Sequence, residues 1–224
     1  RVFVVRSYPR LDRFRRAAPQ DGLTPEGETL IGYLGVIGSQ DGIDLLIEAM
    51  AELVHGGGRS DLRCLVIGDG PALESCKALA VKLGVADRVA FPGFLSGEAL
   101  LAHLSAIDVG VIPDPPNAFN DKLSMNKVFE YMALGIPFAM FGLEQAAREA
   151  GDGAVKAPDG TARSLAAAIA TLADDPALRA RMGRESAARA SVEFTWDREV
   201  PSLLRAYETA LATRGAEPVR RSTA

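Results

Sequence analysis

The sequence is most informative first through what it lacks. It has two cysteines, Cys64 and Cys76, in 224 residues. Two cysteines provide neither a disulfide framework nor zinc-ligand spacing, and they read as small buried thiols of a reducing cytosol. No apolar run reaches the about 18 residues that a membrane-spanning helix needs, and no stretch reads as a signal peptide. The formal net charge is only -4, so no global excess of either sign points to nucleic acid or to an anionic membrane. The two histidines, His55 and His103, both fall in helix-like stretches and read as surface or satisfied core. No Ser/His/Asp or Cys/His set is visible, and Asp114, Asn120 and Asp121 lack convincing metal-ligand spacing. There is no repeat and no low-complexity segment. The length suits one sizeable core. The chain opens at Arg1, without a methionine, on a strand-like "RVFVV", and is expected to continue a preceding part.

What is present is an alternation of strand, loop and helix. Buried strands are expected in 29–38, 62–70, 88–94 and 108–115, then in the short runs "FAMFG" and "AVKAP". Between them lie helical patterns. In "DGIDLLIEAMAELV" the residues Ile43, Leu46, Ile47, Met50, Leu53 and Val54 share one face. "PALESCKALAVKLGV" has Pro71 in its first turn, and "SGEALLAHLSAI" has Ser96 as N-cap. After the last strand the chain is all helical. The final helix carries Val200, Leu203, Leu204, Tyr207 and Leu211 as an apolar stripe, with Pro201 in its first turn or at a kink. Strands alternating with helices of this length indicate a doubly wound, Rossmann-like α/β fold, a parallel sheet covered on both faces, with a helical C-terminal extension. Residues 1–213 form the domain and 214–224 a polar, flexible tail. Such sheets bind ligands at the carboxyl ends of their strands.

Two segments at those ends carry chemistry. "GVIGSQDG" (35–42) places three glycines before a helix, where backbone amides and the positive end of the helix dipole suit a phosphate. A tight turn without ligand fits it equally well. It lacks the "GK[ST]" ending of a P-loop and is not the dinucleotide fingerprint. The second segment is "NDKLSMNKVFEYMALGIP" (120–137). Val128, Phe129, Met132 and Ala133 fall at helical spacing, and Gly135 and Pro137 end the helix. Ser124 or Asn126 can cap its start, Lys127 can reach a phosphate, and Glu130 can accept from two neighbouring hydroxyls of a ribose. A solvated Lys127–Glu130 pair is the plainer alternative. The arginines Arg6, Arg10, Arg13, Arg15 and Arg16 form a short basic stretch that reads as a solvated loop, or as a surface beside a further domain or a membrane.

Taken together, "GYLGVIGSQDGIDLLIEA", "LVIGDGP", "DRVAFPGF", "DVGVIPDPP", "MNKVFEYMALGIP" and the late Trp196 resemble the C-terminal half of a GT-B glycosyltransferase. The resemblance is to the large retaining family, glycosyl transferases group 1, that includes sucrose synthase-like and mannosyl-transferring enzymes. It covers about residues 1–212 and implies a domain that holds a nucleoside diphosphate sugar, of UDP or GDP type, as donor substrate, with no cofactor or obligatory metal. It implies that Glu130 binds the ribose hydroxyls, that the amides around Met125, Asn126 and Lys127 face the diphosphate, that Gly93, Phe94 and Leu95 line the base pocket, and that Gly35 to Gly38 lie beside the phosphates. Glu130 and Lys127 are the expected catalytic residues. The acceptor, a saccharide or lipid-linked hydroxyl, would bind an N-terminal domain that this chain lacks. The implied work is surface polysaccharide or glycolipid synthesis in the cytoplasm, with peripheral association at the inner face of the membrane and no nucleic-acid partner. The isolated domain is expected to be inactive.

The chain departs from the family pattern in three places. Val36 and Asp41 stand where many members carry an arginine and a lysine, and Lys122 stands where the paired-glutamate motif has its first glutamate. A leaving diphosphate needs positive charge, and Lys127, together with Lys122, both at the start of the Glu130 helix, is the expected source. Two rival functions remain open at this stage. One is a non-hydrolysing nucleotide-sugar 2-epimerase, which needs a histidine in the cleft. The other is a non-catalytic binding or scaffold module, which the three departures would suit.

Overall fold

A computed structural model describes residues 1–12 and 14–215. Six strands form one sheet: β1 (Thr29–Leu34), β2 (Leu62–Ile67), β3 (Val89–Gly93), β4 (Val109–Ile112), β5 (Phe138–Phe141) and β6 (Ala154–Ala157). All pairings are parallel, in the order β3-β2-β1-β4-β5-β6. Every residue of β4 and β5 is buried, as expected of central strands covered on both sides, which read as unbroken apolar runs.

The crossovers are helical: α1 (Ile43–Ala51), α2 (Leu73–Lys82), α3 (Gly97–Ser105), α4 (Asn126–Leu134) and α5 (Glu144–Ala150). The chain winds outward from β1 to β3, returns to β4, then winds outward the other way. Right-handed crossovers therefore put α1 and α2 on one face and α3, α4 and α5 on the other. The C-terminal helices are α6 (Ala162–Ala173), α7 (Pro176–Glu193) and α8 (Trp196–Gly215). α6 packs beside α1, and α7 packs on α4. Thr161 caps α6 by accepting from the Ser164 amide, and Asp175 caps α7 by accepting from the Leu178 amide.

The doubly wound expectation holds, and several local readings are corrected. "RVFVV" forms no strand; residues 1–10 are irregular. Their anchor is Tyr8, whose ring meets Phe129 at 4.8 Å and Phe194 at 5.5 Å. The basic stretch is not simply solvated. The Arg16 guanidinium donates to the carbonyls of Ser105, Leu134 and Gly135, tying the ends of α3 and α4 together. The Arg6 guanidinium pairs with Glu149 at 3.3 Å, Arg10 pairs with Asp12, and Arg13 lies outside the described residues. Pro71 precedes α2 instead of opening it, and Ser96 sits at the N-cap of α3 without a side-chain cap bond. α1 runs on into a π-helical turn, Glu52–Gly56. α5, too short to show a period, was not foreseen. Gly135 ends α4 in the left-handed conformation, φ 62°. The stripe on α8 is not core: Leu204, Tyr207 and Leu211 are more than half exposed. α8 includes Pro201 and runs past the expected boundary at 213, to Gly215; 216–224 of the expected tail lie outside the described residues.

Candidate functional site

Strand order reverses between β1 and β4, so their crossovers leave on opposite faces and a crevice opens at the strands' carboxyl ends. A cleft of about 590 Å³ lies there. One wall is the segment after β1, at Gly35, Val36 and Asp41. The floor is Ile67 to Asp69 after β2, and a second wall is Phe94 to Gly97 after β3. Asp114 after β4, and Leu123 to Lys127 with Glu130 around the start of α4, close it.

Of the residues expected from sequence, Gly35, Phe94, Leu95, Met125, Asn126, Lys127 and Glu130 all line this one cleft. Gly38 and Gly93 belong to the adjoining loops but are not lining residues. Lys122 is also absent from the lining. It is exposed and pairs with Glu144 at 3.2 Å, outside the lining that includes Lys127. The two histidines are satisfied elsewhere: His55 bonds the Leu83 carbonyl and His103 the Ala99 carbonyl.

The loop after β1 is bound up with itself and its neighbours. The Gly38 amide donates to Asp41 Oδ2 at 3.0 Å, Gly35 to the Ile67 carbonyl and Ile37 to the Asp69 carbonyl. Gly42 has φ 69°, and a Cβ there would lie 2.0 Å from the Pro113 carbonyl oxygen. Its lack of a side chain serves backbone packing. The buried Asn120 fastens the same loop by donating to the Gln40 and Pro115 carbonyls.

The start of α4 is open by contrast. Met125 is its N-cap, and no side chain caps it. Neither expected cap acts: the Ser124 hydroxyl donates instead to the buried Glu149 at 2.8 Å. The first amides of α4, at Asn126 and Lys127, therefore lack intrahelical or side-chain acceptors and face the cleft with the positive end of the helix dipole.

Lys127 does not pair with Glu130. Its ammonium donates to Asp114 Oδ2 at 2.8 Å and to Tyr33 Oη at 3.4 Å, and lies 4.8 Å from the centre of the Tyr33 ring. The Tyr33 hydroxyl donates in turn to the Val36 carbonyl at 2.7 Å. Burial pushes Asp114 above the usual carboxylate range, against the pull of Lys127. Glu130 is mostly covered and makes no side-chain hydrogen bond to another described residue. Burial raises its carboxyl, and the Lys127 charge partly offsets that. Asp114 and Tyr33 were missed as partners of Lys127. Their only sequence signal is their place at or just past the carboxyl ends of β4 and β1.

The lining residues carry one ammonium, Lys127, against four carboxylates: Asp41, Asp69, Asp114 and Glu130. The cleft can thus accept from ligand hydroxyls and donate from the α4 amides, with its single ammonium already paired. Among the described residues no cluster of three or more acidic, cysteine or histidine side chains could hold a metal, and no helix is long and apolar enough to cross a membrane.

The family model for glycosyl transferases group 1 matches residues 14–189. The chain is 32% identical over 169 residues to a 2-deoxystreptamine glucosyltransferase of Streptomyces kanamyceticus, covering 73% of this chain and 42% of that protein. It is 32% identical over 217 residues to a D-inositol 3-phosphate glycosyltransferase of Acidothermus cellulolyticus, covering 92% and 46%. The chain spans about half the length of the curated relatives it matches. Among solved structures, HepE of Anabaena in complex with UDP superposes with a TM-score of 0.68 at 18% identity, over 93% of this chain and 57% of that one.

Proposed function

The chain belongs to the glycosyl transferases group 1 family and has the fold of one half of a GT-B enzyme; from this premise we infer that it is the donor-binding domain of a retaining glycosyltransferase. The observation that carries the reading is the start of α4. There an uncapped helix N-terminus, Lys127 and the unbonded carboxylate of Glu130 face one cleft at the switch point of the sheet. A nucleoside diphosphate sugar suits that arrangement, with its diphosphate on the amides of Asn126 and Lys127 and near the Lys127 ammonium. Its ribose hydroxyls donate to Glu130, and its base lies along Phe94 and Leu95. Lys127 stabilises the charge of the leaving diphosphate, and the amides do so without reorganising. The UDP bound to HepE supports a nucleotide ligand in this fold.

The parent protein moves the sugar to a hydroxyl of a saccharide or lipid-linked acceptor, held mainly by an N-terminal domain outside this chain. It retains the anomeric configuration and acts in the cytoplasm or at the inner face of the membrane, in polysaccharide or glycolipid assembly. Residues 1–213 are the donor domain, which alone binds donor without transferring sugar. Titration calorimetry with UDP, GDP and ADP, with Glu130→Ala as control, tests the reading. Binding of one nucleotide, weakened about tenfold in the control on the scale of one charged hydrogen bond, is expected. No binding of any would overturn it.

The excess of carboxylates in the cleft favours one second reading, a nucleotide-binding module that has lost catalysis. Turnover by the full-length protein separates the two. The epimerase alternative finds no histidine in the cleft and no support among the relatives.

A further inference from the structure

Lys127 is the single ammonium among the cleft-lining residues, and it already has an anion as partner. Its pair with Asp114 is short and covered, the two side chains being 12% and 5% exposed. A buried charge left without its partner is costly, so the pair is the natural resting state of both groups. An ammonium has three protons to donate. Asp114 takes one and Tyr33 Oη receives a long second contact. A diphosphate entering above α4 needs the same ammonium and meets the Asp114 charge beside it.

We propose that Asp114 is a resident counter-ion of the donor site: it holds and neutralises Lys127 while the cleft is empty, then competes with the incoming diphosphate and so sets donor affinity. The proposal rests on the donor-site reading above. It makes Asp114 a specificity-determining residue for phosphate-bearing ligands. It differs from a purely structural role in one respect. Loss of a structural support would weaken every ligand of the cleft. Loss of a competing anion strengthens only ligands that carry phosphate.

The test is calorimetric titration of UDP and uridine into this chain as wild type, Asp114→Asn and Asp114→Ser. GDP with guanosine, or ADP with adenosine, replaces them if the wild type takes that base. Thermal melting checks that the variants fold. The diphosphate should bind about tenfold tighter to both variants, roughly 1.4 kcal/mol, with nucleoside affinity unchanged. The gain should vanish when Lys127→Met is added. Diphosphate affinity that is unchanged or weakened, with nucleoside affinity intact, overturns the proposal while leaving the donor site standing. A wild type that binds no nucleotide overturns the donor-site reading and the proposal with it. If both variants fail to fold, the 13C titration of the Asp114 carboxyl in the wild type decides. Its midpoint should rise when the diphosphate binds and stay put when the nucleoside binds; an unmoved midpoint with diphosphate bound overturns the proposal.

Discussion

On the β1 side of the cleft, the glycine loop bonds its amides to Asp41, Ile67 and Asp69 and packs Gly42 against Pro113. On the β4 side, α4 begins without a side-chain cap, and the one cation among the described cleft-lining residues is held by Asp114. Both segments are strand-to-helix connections at the same end of the same sheet. Glycine content alone would rank the first as the phosphate site. The difference teaches that an anion site is defined by donors without partners. In "GVIGSQDG" the aspartate between the second and third glycines fills the loop from within, while in "SMNKVFE" the hydroxyl that could cap the helix is drawn away by Glu149.

The comparison is broken most severely at Lys127. Lys127→Met removes the ammonium of the open wall; the charge-assisted contact with phosphate that we propose for it is on the scale of about 1.5–3 kcal/mol. We expect UDP affinity to fall roughly 50-fold by calorimetry, a loss of about 2.3 kcal/mol, with uridine nearly unaffected. Any turnover of the full-length protein should fall sharply. Equal losses for UDP and uridine would show that Lys127 acts through the shape of the cleft and not through phosphate. Glu130→Ala should cost about tenfold, on the scale of one charged hydrogen bond, and for uridine as well as UDP if its ligand is the ribose as proposed. Glu130 also sharpens the contrast through stability. Its carboxyl is raised by burial, so the folded state binds its proton more tightly than the unfolded chain does. That stabilisation is fully present below the unfolded value and is lost as pH rises through the folded one. Glu130→Gln should therefore melt higher than wild type at neutral pH, with the advantage shrinking in acid. A melting point unchanged across that range would mean that the carboxylate carries no burial cost.

Much of the frame was legible because it depends on local pattern. Six apolar runs became six parallel strands, and the spacing of Val128, Phe129 and Met132 with Gly135 after them marked α4. What was not legible depends on partners distant in sequence. "RVFVV" has the composition of a strand but pairs with neither edge of the sheet, β3 or β6. The stripe of α8 has the period of a core helix, yet no described element covers Leu204, Tyr207 and Leu211. At the site, the helical i,i+3 rule offered Glu130 to Lys127. The fold supplied Asp114 instead, 13 residues earlier in the chain and on another element. Seven residues of the cleft could be named from sequence, from Gly35 to Glu130; the pairing of Lys127 with Asp114 could not.

The smaller predictions concern the closed wall and a cation outside the cleft. Val36 is 58% exposed at the rim, so an arginine there can reach the cleft without disturbing the core. Val36→Arg should tighten UDP about threefold at low salt and lose most of that gain near 0.5 M, where screening acts over only about 4 Å. A gain that survives salt would mean a direct, desolvated phosphate contact, and the β1 wall would then be open after all. Lys122→Ala should do least. Its ammonium is 74% exposed and pairs with an exposed Glu144, an arrangement worth about 0–1 kcal/mol. We expect its melting temperature to stay within about 1 °C of wild type and UDP affinity to change less than about twofold, since an exposed charge outside the cleft is screened by solvent. A tenfold loss in Lys122→Ala would require the 120–124 segment to fold over the bound diphosphate and bring its ammonium in. The contrast would then lie between a static wall and one that closes on its ligand.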